Sequence, residues 1–397
     1  MKKEDYDEEE APVNKKNLSL VRKFEQFPNL KAVTLRFSPN CSSEDNMYHS
    51  YPESVNFRQH MLREFVTTLA KTSITDVSIL NLQNVNDEAL LASEDFQSTM
   101  SRLTSLTLQI CTEEDDAAPE CTIEIPDLHT FFPALPQTWL APVSSSTTLT
   151  RLALYSDHYF GWLPHLDLAT TLLFPSLTSL ALGRYTLASP ASFLAWLARH
   201  AATLRHLTLH DCPILVTRVV RVPLRLGADG TSVSMMLPRV GGTGRGRPPL
   251  LAVQHEGVRW KDVFARLGGG EMGAALREVR VSSVGWRHGA RAAAREVVEN
   301  LRIELSAGRY AWFDGGGYRR IYMWGGETRA RLSEDGGEEW RAFVGRCGAG
   351  MDGEQDLEDV EALGALLERL GMREGRAGPV YLDRWGDGKE TVVRFGG

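Results

Sequence analysis

The chain has 397 residues, 43% of them hydrophobic and 24% charged, with a formal net charge of −7. That length is enough for a large core and, as a prior, roughly two to three domains. The acidic balance excludes a chain built as a whole to seek nucleic acid, and the N-terminal "MKKEDYDEEE" lacks the apolar core of a signal peptide.

Five cysteines, Cys41, Cys111, Cys121, Cys212 and Cys347, are odd in number and widely spaced. They imply no disulfide framework and point to a reducing compartment. Arg218, Arg221 and Arg225 interrupt the longest apolar run, so no membrane span is expected. Together these features read as a soluble intracellular protein, cytoplasmic or nuclear. No lysine occurs between Lys71 and Lys261, whereas arginine is common. A GC-rich gene produces that bias, so arginine and glycine enrichment alone carries little weight.

In chain order, residues 1–17 read as an acidic disordered tail. The segment "NLKAVTL" (Leu30, Val33, Leu35) then introduces the apolar signature L-x-x-L-x-L. "FRQHMLREFVTTLAK" follows as an amphipathic helix with Met61, Leu62, Phe65 and Leu69 on one face. The signature returns in "SITDVSI" (Ile74, Val77, Ile79), "RLTSLTL" (Leu103, Leu106, Leu108) and "TLTRLAL" (Leu149, Leu152, Leu154). The pair Asp157-His158 sits in a predicted loop. "SLTSLAL" (Leu177, Leu180, Leu182) is the fifth copy. A helix follows, with Ser189 as N-cap, Pro190 at its first position and Phe193, Trp196 and Leu197 on one face. "TLRHLTL" (Leu204, Leu207, Leu209) is the sixth copy. Residues from Val216 to Leu250 break the rhythm, with a Gly/Arg/Pro-rich insertion near 226–250. "VRWKDVFARL" resumes a helix, and "ALREVRV" (Leu276, Val279, Val281) is the seventh copy. "LRIEL" (Leu301, Ile303, Leu305) reads as one last strand. Residues 306–397 read as a C-terminal cap, extended or turn-rich at first. An amphipathic helix then turns Leu357, Val360, Leu363, Leu366, Leu367 and Leu370 inward.

Successive copies start 44, 29, 46, 28, 27 and 72 residues apart. Three of these spacings match the leucine-rich-repeat range of roughly 20–29 residues. In each copy the last two apolar residues lie two apart and share one face of a strand. One such unit cannot bury its own face, whereas stacked neighbours can. The fold class expected is α/β: a leucine-rich-repeat-like solenoid over 18–305, an irregular horseshoe with a parallel concave sheet and helices outside.

The block from Phe174 to Leu215 carries a "FLxWLxRH"-like helix core and ends "LTLHDCPIL". It resembles a block of fungal F-box and leucine-rich-repeat-like proteins, and Phe27 to Cys41 is similar to another segment of that group. The resemblance implies the substrate-recognition part of a ubiquitin-ligase adaptor. No F-box is recognisable before the repeats. A Skp1-type adaptor is therefore expected as partner only if an F-box lies upstream; otherwise the chain reads as a stand-alone scaffold.

Chemistry-bearing residues are sparse. His206 and His210 are four apart, but on a strand that places them roughly 13 Å apart, too far to share an ion. No C-x-x-C, H-E-x-x-H or G-x-S-x-G occurs. No enzyme activity, cofactor or metal is therefore expected. The sequence Arg245-Gly246-Arg247-Pro248 matches the core of an AT-hook, which would place Arg245 and Arg247 in a narrow minor groove. Its flanks lack the basic residues that hold phosphates, so nucleic acid is not the expected partner. Binding candidates alternate with the strand leucines and should face outward, toward a protein partner on the concave face. They are Arg36, Ser105, Gln109, Arg151, Tyr155, His206, Thr208, His210 and Arg280.

Overall fold

The computed structural model describes residues 19–41, 53–113, 125–169, 172–220, 252–255, 258–282, 303–305, 309–313, 318–320, 354–372, 380–383 and 390–393. Each copy of the signature forms one strand. These are β1 (Ala32–Arg36), β2 (Asp76–Gln83), β3 (Ser105–Cys111), β4 (Arg151–Phe160), β5 (Ser179–Tyr185), β6 (His206–His210) and β9 (Glu278–Ser282). They form one seven-stranded sheet in the order β1-β2-β3-β4-β5-β6-β9, parallel throughout. The sheet is open, and the α/β class is the one expected.

Register is the organising fact. Val33, Val77, Leu106, Leu152, Leu180, Leu207 and Val279 are Cα partners in succession. So are Leu35, Ile79, Leu108, Leu154, Leu182, Leu209 and Val281. Both columns are buried from β2 to β9, and only their β1 members are partly exposed. The first leucine of each signature, from Leu103 to Leu276, is buried in the turn that enters the strand. The next residue supplies a repeated lock. The Thr75 carbonyl accepts from the amides of Thr104 and Ser105, that of Thr104 from Thr150 and Arg151, and that of Thr150 from Thr178 and Ser179. The hydroxyls of Thr104, Thr150 and Thr178 donate to the same carbonyls at 3.0–3.1 Å.

Helices cover the leucine face. They are α1 (Val55–Ala70), α2 (Glu94–Ser101), α3 (Pro126–Ala134), α4 (Pro190–Ala198), α5 (Trp260–Gly268) and α6 (Gly270–Ala275), with α7 (Glu354–Arg369) near the C-terminus. Phe65, Phe96, Phe131, Trp196 and Phe264 project from five of them into the core that holds both leucine columns. Ser54 caps α1 by accepting from the Phe57 amide at 3.1 Å. The Ser189 hydroxyl, expected to cap α4, instead meets the Ser192 hydroxyl at 2.9 Å, and Pro190 alone marks the helix start.

One expectation is corrected, and three strand pairings outside the seven-stranded sheet were not foreseen from the sequence. Asp157 and His158 lie within strand β4, not in a loop, because β4 continues through an irregularity between its Tyr155–Gly183 and Phe160–Tyr185 pairs with β5. The stretch after Leu215 begins as a strand, β7 (Ile214–Val220), antiparallel to β8 (Ala252–His255). Strand β11 (Tyr310–Phe313) pairs parallel with β7 and antiparallel with β12 (Tyr318–Arg320), so residues beyond 305 share a sheet with the repeat region. Strand β10 (Glu304–Leu305) pairs with β13 (Val380–Asp383), itself antiparallel to β14 (Glu390–Val393), rather than extending the seven-stranded sheet. Helix α7 buries Val360, Leu363, Leu366 and Leu367 as its periodicity predicts. Its fully buried Asp359 accepts from the Lys261 amide at 3.0 Å, Arg309 Nε at 2.9 Å and the Tyr310 hydroxyl at 2.8 Å. That carboxylate fastens α7 to the start of α5 and to β11.

A mid-column leucine should matter far more than one on the edge strand. Leu180→Ala is expected to cost about 3–4 kcal/mol and Leu35→Ala about 1 kcal/mol, read by urea unfolding. Equal losses would contradict a continuous buried column.

Candidate functional site

The face opposite the leucines is ruled in three rows by the same register. The first is Ala32, Asp76, Ser105, Arg151, Ser179, His206 and Glu278; the second is Thr34, Ser78, Thr107, Ala153, Ala181, Thr208 and Arg280. The third is Arg36, Leu80, Gln109, Tyr155, Gly183, His210 and Ser282. All nine expected face residues therefore share one side of the sheet, but they do not share its exposure.

Arg36, Arg151 and His206 are exposed, and Gln109 and Arg280 are half-buried. Tyr155 and His210, expected to point outward, are fully buried. The reason is Gly183. The Tyr155 ring lies flat over its backbone, so that a Cβ there would sit 2.2 Å from the ring. The His210 ring meets the Tyr155 ring edge-on, with centroids 5.9 Å apart. A missing side chain on β5 thus lets the third row close on itself. Ser105 and Thr208 are also buried, at 5% and 6% exposure, because they form the floor of a cavity rather than its rim.

That cavity has a volume of about 310 Å³ and runs along the first two rows from β2 to β9. Small side chains make its floor: Ser105, Thr107, Ala153, Ser179, Ala181 and Thr208. Charged groups rim it in two clusters. Arg151 Nη2 reaches over β3 to Asp76 Oδ2 at 2.7 Å. On the far side Glu278 accepts from Arg280 Nε and lies 3.1 Å from His206 Nδ1. Burial pushes the Glu278 pKa up, but the bonds from Arg280 and His206 outweigh it and hold this carboxyl below its ordinary range.

A second polar cluster lies at the C-terminal ends of the strands, and sequence reasoning missed it. Asp157 accepts from the Thr112 amide at 2.9 Å and hydroxyl at 2.8 Å, and Arg184 Nη1 donates to the Asp157 carbonyl. Arg184 also pairs with Asp211 at 3.3 Å, and the Tyr159 hydroxyl donates to Asp211 at 2.9 Å. Arg184 and Asp211 have φ near +60°, as does Asn81. Each stands two residues after the second strand leucine, Asn81 and Arg184 at irregularities within β2 and β5 and Asp211 just past the end of β6. The polar residues N, R and D at that step were the available signal.

No family model, no curated protein and no solved structure matches this chain. What the site can do therefore rests on its geometry. Among the described residues, no group of three or more His, Cys, Asp or Glu could hold a metal ion. His206 and His210 stand in different rows, one beside Glu278 and the other under Tyr155. Cys111 lies 3.4 Å from Cys41, and that hydrogen bond together with burial pushes the Cys111 thiol well up. Burial does the same to Cys212. These thiols are packed as apolar groups. No described helix is long and apolar enough to cross a membrane. Arg245 and Arg247 lie outside the described residues.

Burial raises the Asp211 pKa from 3.8 to about 6, against the opposing pull of Arg184. A raised carboxyl pKa favours the folded state below the unfolded value and loses that contribution as pH rises through the folded one. Asn tolerates positive φ, so Asp211→Asn keeps the backbone while removing the titration. Relative to that variant, the wild type should lose up to about 3 kcal/mol of stability between pH 4 and pH 7. Urea titrations at both pH values check this. A difference that does not change with pH contradicts it.

Proposed function

We propose that the chain is a non-catalytic protein-binding module, a leucine-rich-repeat-like solenoid that receives a protein partner on the open, concave face of its sheet. The observation that supports this reading is the cavity across the first two rows: small residues in register from β3 to β6 make its floor, and exposed Arg151 and His206 stand on its rim. Strand repeats of this kind present one binding surface built from many units. Arginine is also enriched at protein interfaces. Asp76–Arg151 and His206–Glu278–Arg280 are mutually paired groups, not a nucleophile with its base, which agrees with recognition rather than reaction.

The similarity of Phe174–Leu215 to F-box-type leucine-rich proteins makes substrate recognition for a ubiquitin ligase the specific form of this proposal. A scaffold without the ligase link is the alternative. The two differ in whether a Skp1-type adaptor accompanies the partner, and with no F-box recognisable in the sequence we expect the partner without it.

The test is affinity purification with the tagged full chain. Arg151→Glu combined with Ser179→Trp, which fills the cavity, should lower partner recovery at least about tenfold while the melting temperature stays within a few degrees. Undiminished recovery on the folded double variant would contradict the reading.

A further inference from the structure

The fold brings together two cysteines that the sequence holds far apart. Cys41 follows β1, Cys111 ends β3, and they are 70 positions apart in the chain. Both side chains are buried, and their sulfurs lie 3.4 Å apart. The Cys111 carbonyl also accepts from Cys41 Sγ at 3.7 Å, and the Pro39 carbonyl accepts from Cys111 Sγ at 2.8 Å. Each sulfur is thus seated against the other's segment. Cys212 instead donates to the carbonyls of Leu182 and His210. A disulfide has its sulfurs about 2.05 Å apart, so the pair must approach by about 1.4 Å, within reach of small side-chain rotations.

Burial alone would shield such a pair from an oxidant, but it lies where the fold opens most cheaply. β1 is the end strand of the sheet, and its Val33 and Leu35 stay partly exposed. Beside Cys111, the side-chain amides of Gln83 and Asn84 are buried with no hydrogen-bond partner among the described residues. Gln83 is the Cα partner of Cys111, and the Asn84 backbone amide donates to its carbonyl at 3.1 Å. Buried amides of this kind regain hydrogen bonds to water when the structure opens locally, which lowers the cost of opening.

We propose that Cys41 and Cys111 are a redox-responsive pair that a peroxide converts to a disulfide, stapling the exit of β1 to the end of β3. Cys41 Sγ attacks one peroxide oxygen: the S–O bond forms, the O–O bond breaks, and the released hydroxide takes the Cys41 proton and leaves as water. Cys111 Sγ then attacks Cys41 Sγ: the S–S bond forms, the S–O bond breaks, and the second hydroxide leaves as water with the Cys111 proton. Two thiols and one peroxide give one disulfide and two waters, the sulfurs losing the two electrons that the peroxide gains. A dithiol reverses the change. The hydrogen bond from Cys41, together with burial, holds the Cys111 thiol well up, so closure is slow at neutral pH and quickens as pH rises. The closed loop restrains β1, which among the described residues pairs with β2 alone. Neither cysteine lines the cavity, so the pair is independent of the binding reading.

The experiment treats the purified, reduced full chain with excess hydrogen peroxide at mildly alkaline pH. Free thiols are then alkylated, the chain is digested without reduction, and the peptides are read by mass spectrometry. A peptide pair joining Cys41 to Cys111 should be the dominant disulfide and should vanish on treatment with dithiothreitol. Hydrogen exchange of the β1 amides should slow at least about fivefold in the oxidised chain. Cys41→Ser, given the same peroxide, should show no such slowing, which separates the staple from methionine oxidation. The peptide map is made on the wild type, so it holds whether or not the variant folds. Cys41 and Cys111 recovered as free thiols or as separate oxidised acids would overturn the proposal. So would linkage of either one mainly to another cysteine, or a cross-link that leaves β1 exchange unchanged.

Discussion

The structure depends on one repeated hydrogen bond. The carbonyl of the residue after the first leucine accepts two amides from the next repeat, from Lys31 through Thr75, Thr104, Thr150 and Thr178 to Arg205. This fixes each strand against its predecessor with no offset. A slip of one residue would turn every strand leucine to the open face and every hydroxyl into the core. The threonine hydroxyls at Thr104, Thr150 and Thr178 reinforce the lock at three of its steps. With the register held, each mid-column leucine is buried by its neighbours, a gain of roughly 1.5–3 kcal/mol per side chain.

The same constraint makes the open face. Residues as distant in sequence as Asp76, Arg151, His206 and Glu278 come into one row because each begins its strand. No single repeat contains a site. The small residues of the second row leave space where larger ones would fill it, and the charged residues at both sides lean on each other. Where the face closes, at Tyr155 and His210, it does so because β5 offers only Gly183 beneath the ring. The packed core and the charge-rimmed cavity thus lie on two faces of the same strands.

Much of this was legible in the sequence because it is periodic. The seven copies of L-x-x-L-x-L gave seven strands, their shared direction and the sides on which their residues fall. The helix carrying Phe193, Trp196 and Leu197 formed as its spacing indicated. What escaped is non-local. Nothing near Ile214 announces that β7 pairs with β11, almost a hundred residues on. Alternation placed Tyr155 and His210 on the open face correctly but could not show that a glycine on the neighbouring strand would let them bury each other. The stretch "HLTLHDCPIL" therefore divides three ways. Leu207 and Leu209 are core, His206 is rim, and His210 with Cys212 is interior.

The central claim is that one register runs through all seven repeats and sets the width of the open face. Nitroxide labels at Ser78 and Arg280, both in the second row, measure it directly by pulsed electron-spin resonance. Five strand spacings predict a single narrow distribution centred near about 25 Å. A distribution centred beyond about 35 Å, or two separate populations, would contradict the account.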